Sequence, residues 1–453
     1  MAQIGLNQPG FLYLNEQVLA NVKSATGDLG KGTVDELKFG PLNDLVSELL
    51  FPWCSTLTSR ARYYFFTYAV LQLALDRTIP REKQDPERDA RECRELAGKY
   101  LKEFVRHVRR IEKYLTLALV LQNEQDGTFG QRRVNRWLHE GRSPVAAKSY
   151  VTILTADGRY PNAIYRAGSR VLGMFRQLSQ NTALISARLR GEHAFRNDWM
   201  STGARALDEA RQVVAFWEKF EADPNTSLST ASSQFVKSTA ARNFHGFELS
   251  SQEAEFLYRR IQAATPYWRK VTLSKLREIY KRSVSFDDLQ AVFADVPEHE
   301  YLLAAGHIDN ATKYWRHYYA EIVRDPERVP PLDTVREALP EIRMSLDWLK
   351  HTAHSAGHAA RWEAVWCASY EALIGRWVHM VEKKDAQSLA WDLMARAERV
   401  VQERGRGKVA PHQRSSGDRE DDIDVELDVK KTGFRFGNAD RILDDIAKAP
   451  RHG

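Results

Sequence analysis

Two short stretches bring carboxyl, hydroxyl and guanidinium groups together at spacings that could do chemistry. In "GTVDELKFG", Thr33 is followed by Asp35 and Glu36. Acids in a first helical turn are favoured by the helix dipole, so the plain reading is a capped short helix. The chemical reading is that one carboxylate faces a cleft and does acid–base or electrostatic work, with Asp35 the first candidate and Glu36 the second. In "FPWCSTLTSRARYYFFTYAV", Ser55, Thr56 and Thr58 precede Arg60 and Arg62, and an apolar, aromatic run follows. Hydroxyls, guanidinium groups and the N–H groups of a helix start all suit phosphate oxygens. The pattern predicts Ser55 or Thr56 as the N-cap of a helix that packs from Tyr63 onward, with the polar front facing an anion. Alternatively, the arginines pair with nearby acids such as Asp44 and Glu48. Trp53 could stack on a base beside that front.

A third stretch, "DGRYPNAIYRAGSRVLGMF", sets Tyr160, Asn162 and Tyr165 among Arg166 and Arg170. Aromatic rings beside an amide and guanidinium groups can sandwich a base and read its edge. The plainer alternative is that Pro161 starts a helix and Tyr165 packs inward. Asp347, His351, His354 and His358 share one helical face. Without an H-E-x-x-H pattern or ligands from a second element, they do not make a metal site, and no metal or other cofactor is expected. Walker, G-x-G-x-x-G, kinase and G-x-S-x-G signatures are missing, which removes the usual support for ATPase, dehydrogenase and hydrolase classes.

The elements that must position these groups read as helices. Leu96, Tyr100, Phe104, Val108 and Ile111 recur at three or four residues with Arg and Lys between them, and Ser250 stands three residues before Glu253 as in a capping box. A mainly α, multi-helix protein of two helical lobes is expected, with "SYVTIL" offering a short strand for a small sheet in the N-terminal half. The 453 residues divide at "ADPNTSLSTASSQF" and at the charged run after residue 402. The expected organisation is an N-terminal domain over 1–225, a second over 226–402, a charged linker over 403–432 and a docking helix over 433–453. Phe434, Phe436, Ile442 and Leu443 would let that helix return to the body.

A formal net charge of +6 favours an anionic partner through a local basic patch. Three scattered cysteines suggest neither a disulfide framework nor a zinc ribbon. The start "MAQIGLNQPGFLYLN" lacks a signal-peptide pattern and no segment has the apolar length of a membrane span, so the expectation is a cytoplasmic protein with no membrane association.

"GTVDELKFGPLNDLVSELLFPWCSTLTSRARYYFF", together with "LSSQEAEFLYRRI" and "FRFGNADRILDDI", resembles a bacterial domain family of uncharacterised activity. Its pattern runs D-E-L-G-x-G, L-F-P-G-T-S-T, then T-R-A-R-Y-F. The likeness is strong over residues 32 to 66 and weak in the middle of the chain. Lys38 stands where the family tends to have glycine, Trp53 and Cys54 replace its Gly-Thr, and Ser59 adds a hydroxyl before Arg60. The resemblance implies a place in phage defence and action on foreign DNA. The chain is also similar to prokaryotic antiviral DNA glycosylases that remove modified cytosines such as glucosylated hydroxymethylcytosine. That likeness implies phosphates held by Ser55, Thr56, Thr58, Arg60, Arg62, Arg166 and Arg170. A flipped base would lie against Trp53, Tyr160, Asn162 and Tyr165, with Asp35 or Glu36 acting at the sugar. The competing expectation is a DNA-binding subunit without chemistry in a multi-gene defence system, with further protein partners.

Overall fold

A computed structural model describes residues 37, 39, 51–55, 58–123, 128, 131, 134, 161–176, 180–221, 226–265, 268–269, 271–281, 314–340, 342–343, 370, 372–403, 411–413 and 436–450. Among them the fold is mainly α with no strand, and the only extended pairing is a single antiparallel bridge between Phe175 and Phe195. The segment "SYVTIL" and the Asp347–His358 face lie outside the described residues.

The centre is helix α1 (Tyr63–Thr78), whose sequence YYFFTYAVLQLALDRT is apolar on every side. A helix with no polar face has to be surrounded, and α1 is. Around it pack α2 (Ala90–Leu121), α3 (Pro161–Val171), α4 (Asn181–Leu189) and α6 (Ala204–Glu221), with the short α5 (Asn197–Thr202) beside α6. Helix α2 changes character along its length. Its first half is amphipathic, burying Cys93, Ala97, Phe104 and Val108, and every residue from Ile111 to Val120 is buried. Its start is fixed by Asp89, whose carboxylate accepts from the N–H groups of Arg91 and Glu92 at 2.7 and 2.8 Å.

Close approach of α3 to the chain before α1 requires glycine at position 168. A Cβ there would lie 2.2 Å from the Trp53 carbonyl oxygen and 2.8 Å from the Tyr64 hydroxyl. Those distances are far inside van der Waals contact, so a side chain would force α3 outward.

After α7 (Leu228–Lys237) comes α8 (Ser251–Ala264), which opens on a complete capping box. Ser250 Oγ accepts from the Glu253 N–H at 3.1 Å, and Glu253 Oε2 accepts from the Ser250 N–H at 2.7 Å. Aromatic edges tie α8 to the centre: Phe256 meets Trp199 at 4.9 Å, and Trp199 meets Phe65 at 5.4 Å. Helices α10 (Ala372–Glu382) and α11 (Ala386–Glu403) form a pair, with Trp377 buried between them and donating its indole N–H to Asp392 at 2.7 Å. Phe39 packs on Trp377 and Tyr370, and the Leu37 carbonyl accepts from Arg396 on α11. The last helix, α12 (Phe436–Lys448), docks on α8 and on α9 (Leu273–Tyr280), burying Ala439, Ile442, Leu443 and Ile446 completely. Each large aliphatic side chain so buried stabilises by roughly 1.5–3 kcal/mol, so α12 is held firmly.

Candidate nucleic-acid interface

Residues 51–55 and 58–62 do not make a helix start before α1; two backbone hydrogen bonds close turns there. The Cys54 N–H donates to the Phe51 carbonyl at 2.8 Å, and the Thr58 N–H donates to the Ser55 carbonyl at 3.2 Å. The Thr58 hydroxyl closes the second turn, accepting from the Ser55 N–H at 2.7 Å and donating to the Ser55 carbonyl at 3.0 Å. Helix α1 therefore starts at Tyr63 after Arg62, and Ser55 is not its N-cap. Thr58, expected to face phosphate, is buried with its oxygen committed to the turn. Thr56 lies outside the described residues.

Three distant parts of the chain hold this loop. From α3, the Tyr165 hydroxyl accepts from the N–H groups of both Ser59 and Arg60, at 2.7 and 2.8 Å. Tyr165 is fully buried against Tyr63 and Tyr64, and burial pushes its phenol well above the ordinary range, so it stays protonated. Of its two expected roles, stacking on a base and packing inward from a helix begun at Pro161, the second is found, and the ring positions the loop. Trp53, another ring assigned to the base pocket, is also fully buried, edge-on to Phe51 at 5.9 Å.

From α12, Asp445 takes the place a phosphate was expected to fill. Its carboxylate accepts from Arg60 Nε at 3.1 and 3.0 Å and from the Ala61 N–H at 2.8 Å, with Arg60 Nη2 3.0 Å from Oδ1. The Arg60 guanidinium also lies over the Phe247 ring, 4.3 Å from its centroid. Burial raises the Asp445 carboxyl above its usual range, and the Arg60 charge pulls against that. Asn438, about two turns earlier on α12, donates to the Ser55 carbonyl at 3.3 Å.

From α6 and α8 comes a buried ion-pair network. Arg62 is 0% exposed. It donates to Glu209 Oε1 at 2.8 Å and to the Gly246 carbonyl at 2.7 Å, and its Nε is 3.9 Å from Glu253 Oε2. Arg205 bridges the same two glutamates at 3.0 and 3.3 Å, and His245 Nδ1 lies 3.0 Å from Glu209. Arg62 cannot reach a ligand from this position; it joins α1, α6 and α8.

Arg166 is nearly buried on α3, donating to Asn181 at 2.7 Å, and burial pushes its guanidinium down to about 10 against the pull of Glu112. Arg170, in the last turn of α3, is partly exposed, and of the arginines expected at phosphate it is the one with no charged or hydrogen-bonding partner among the described residues. Asn162 lies on α3. Tyr160, Asp35 and Glu36 lie outside the described residues, although Leu37, the next residue after Glu36, is buried and anchored through its carbonyl to Arg396. Among the described residues no group of three or more His, Cys, Asp or Glu could hold a metal ion, and no helix is long and apolar enough to cross a membrane.

The structure thus brings Ser55, Thr58, Arg60, Arg62 and Tyr165 together, but as a knot of mutual contacts. Asp445, Glu209 and Arg205, which complete it, carry no motif of their own. The signal that could have found Asp445 is the Asp-Asp pair inside the apolar face of "ADRILDDIAKA". Compared with known proteins, the chain matches no family model, no curated protein and no solved structure.

Proposed function

We propose that this protein acts on phage DNA as an N-glycosylase that extrudes a modified cytosine and removes it, leaving an abasic site. One observation carries the reading from the structure's side. The three stretches on which the resemblance rests close on each other around residues 55–62: Arg62 with Glu253 of "LSSQEAEFLYRRI", Arg60 with Asp445 and Ser55 with Asn438 of "FRFGNADRILDDI". Stretches so far apart in the chain that share one contact set act as one unit, and the acidic Asp35–Glu36 pair directly precedes the anchored Leu37.

In this reading the buried arginines build the frame and exposed basic groups such as Arg170 hold phosphate. Breaking the C1′–N bond sends its electron pair to the departing base and leaves positive charge on the deoxyribose. Asp35, or Glu36 in its place, stabilises that charge and takes the proton of the water that adds to C1′, and that proton is passed on to the departing base. A second reading, a DNA-binding subunit without chemistry, is favoured by the saturation of Thr58, Arg60 and Arg62 by protein partners.

The test is to incubate the purified protein, without added metal, with unmodified DNA and with DNA carrying bulky modified cytosines, then assay alkali-labile sites and free base. Release from the modified substrate, lost in Asp35→Asn with DNA affinity retained, is the expected result. Binding without release from either substrate overturns the glycosylase reading in favour of the second. Equal release by Asp35→Asn and the parent transfers the role to Glu36, tested as Glu36→Gln.

A further inference from the structure

On the face formed by the chain after α3 and the chain before α5, Arg176 and Arg196 line an open cleft of about 510 Å³ together with Phe175, Asn197 and Asp198, and a third arginine, Arg260, pairs with that aspartate. The Phe175–Phe195 bridge sets their positions. The Arg176 N–H donates to the Ala194 carbonyl at 3.0 Å and the Arg196 N–H to the Met174 carbonyl at 3.1 Å, so the two arginines flank one short extended pair. Arg260 comes from α8 and meets Asp198 beside them. Its Nη1 and that of Arg196 each lie 3.7 Å from the point a Gly173 Cβ would occupy. Gly173 has φ +72°, a left-handed conformation that disfavours other residues, so the backbone there is suited to glycine and leaves the space between the two guanidinium groups open.

The charges around this cleft do not balance. Arg176 bonds to the neutral amide of Asn197. Arg196 and Arg260 share the single carboxylate of Asp198, with Arg196 Nε 3.8 Å from it. Three guanidinium groups thus face one acid. Burial, and then the neighbouring Arg196 charge, lower the Arg260 guanidinium from its ordinary range, as expected where like charges are crowded. A ligand that relieves this is anionic and offers several oxygens to planar donors, which describes a phosphodiester better than a lone carboxylate. Arg176 also lines a neighbouring cleft of about 180 Å³ together with Ala183, Leu184, Ala187, Ala194, Glu192 and His193. A strand held at the arginines can lay a sugar or base on those small apolar residues.

We infer that the Arg176–Arg196–Arg260 cleft is a binding site for the phosphodiester backbone of a DNA strand. The choice of DNA rests on the function proposed above; the anionic chemistry does not. These arginines, rather than Arg60 and Arg62, carry the phosphate contacts.

Fluorescence anisotropy with a labelled 20-base-pair duplex and its single strand, from 50 to 200 mM salt, tests this. Arg176→Ala/Arg196→Ala is expected to weaken binding by roughly tenfold or more and to reduce the slope of log affinity against log salt by about two. Arg176→Ala alone, at an exposed side chain bonded only to Asn197, is expected to reduce it by about one and guards against misfolding of the double variant. Arg91→Ala/Arg94→Ala removes the same charge from the exposed start of α2 and serves as control. Cleft variants that match the parent or the control overturn the cleft assignment alone. A parent that binds neither probe overturns the DNA reading and, with it, this choice of ligand.

Discussion

Arg60 and Asp445 stand 385 residues apart in the chain and meet in a contact that uses both carboxylate oxygens. The Ala61 N–H completes it, so α12 supplies the counter-charge for the loop that precedes α1. With Asp445 only 11% exposed and Arg60 19% exposed, neither group has enough water around it to replace the other.

The pair is therefore expected to couple strongly. Asp445→Asn keeps the shape of the side chain but removes the charge, and Arg60→Ala leaves a buried carboxylate. Each single variant is expected to lose roughly 1–3 kcal/mol in urea unfolding, and the double variant less than their sum. Strict additivity would show that the contact contributes nothing.

Arg62 sits deeper and is expected to matter more for folding than for binding. Arg62→Ala leaves Glu209 and Glu253 buried without one of their shared cations, at a cost of about 3–5 kcal/mol. Arg62→Lys is expected to recover little, because one ammonium cannot serve Glu209, Glu253 and the Gly246 carbonyl in the geometry of the planar guanidinium. Urea melts of the two variants check this, and the salt slope of DNA binding should remain that of the parent wherever the variant is folded.

Much of the helical fold was legible in the sequence, and the partners of the site were not. The unbroken apolar character of α1, the period of α2 and the capping box of α8 are local signals, and local signals survive in a single sequence. The start of α1 was misplaced because Ser55 and Thr58 have the chemistry of caps, whereas the hydroxyl of Thr58 closes a turn of its own. The arginines were given neighbours in sequence, Asp44 and Glu48, as alternative partners. Their described partners are Asp445, Glu209 and Glu253, and nothing in residues 51–62 points that far along the chain. The arginine cleft escaped for the same reason: Arg176, Arg196 and Arg260 form no motif until the Phe175–Phe195 bridge and α8 bring them together.

The link between α2 and α6 is expected to be pH-sensitive. Burial acts to raise the Glu221 carboxyl, but Lys113, Tyr114 and Arg110 outweigh it and hold it below the ordinary value. A carboxyl lowered in the folded state contributes stability that is present above the unfolded value, near 4.5, and is lost as pH falls through the folded value. Glu221→Gln is expected to melt below the parent at pH 6, with the gap closing as pH falls below about 4.5. A gap that stays constant over that range would remove Glu221 from the linkage.

Tyr165 separates a frame from a base pocket. Tyr165→Phe keeps the ring and its contacts with Tyr63 and Tyr64, and removes only the oxygen that accepts from Ser59 and Arg60. Two backbone N–H groups then lose their partner, each at a cost of roughly 1–3 kcal/mol. If the ring served to stack on a base, the phenylalanine variant would keep the parent's stability and its DNA affinity together, because stacking uses the face and not the hydroxyl. The structure predicts the opposite pattern: lower stability in urea and faster hydrogen exchange at the Ser59 and Arg60 amides. Exchange rates unchanged at those two amides would show that the loop is held without the Tyr165 hydroxyl.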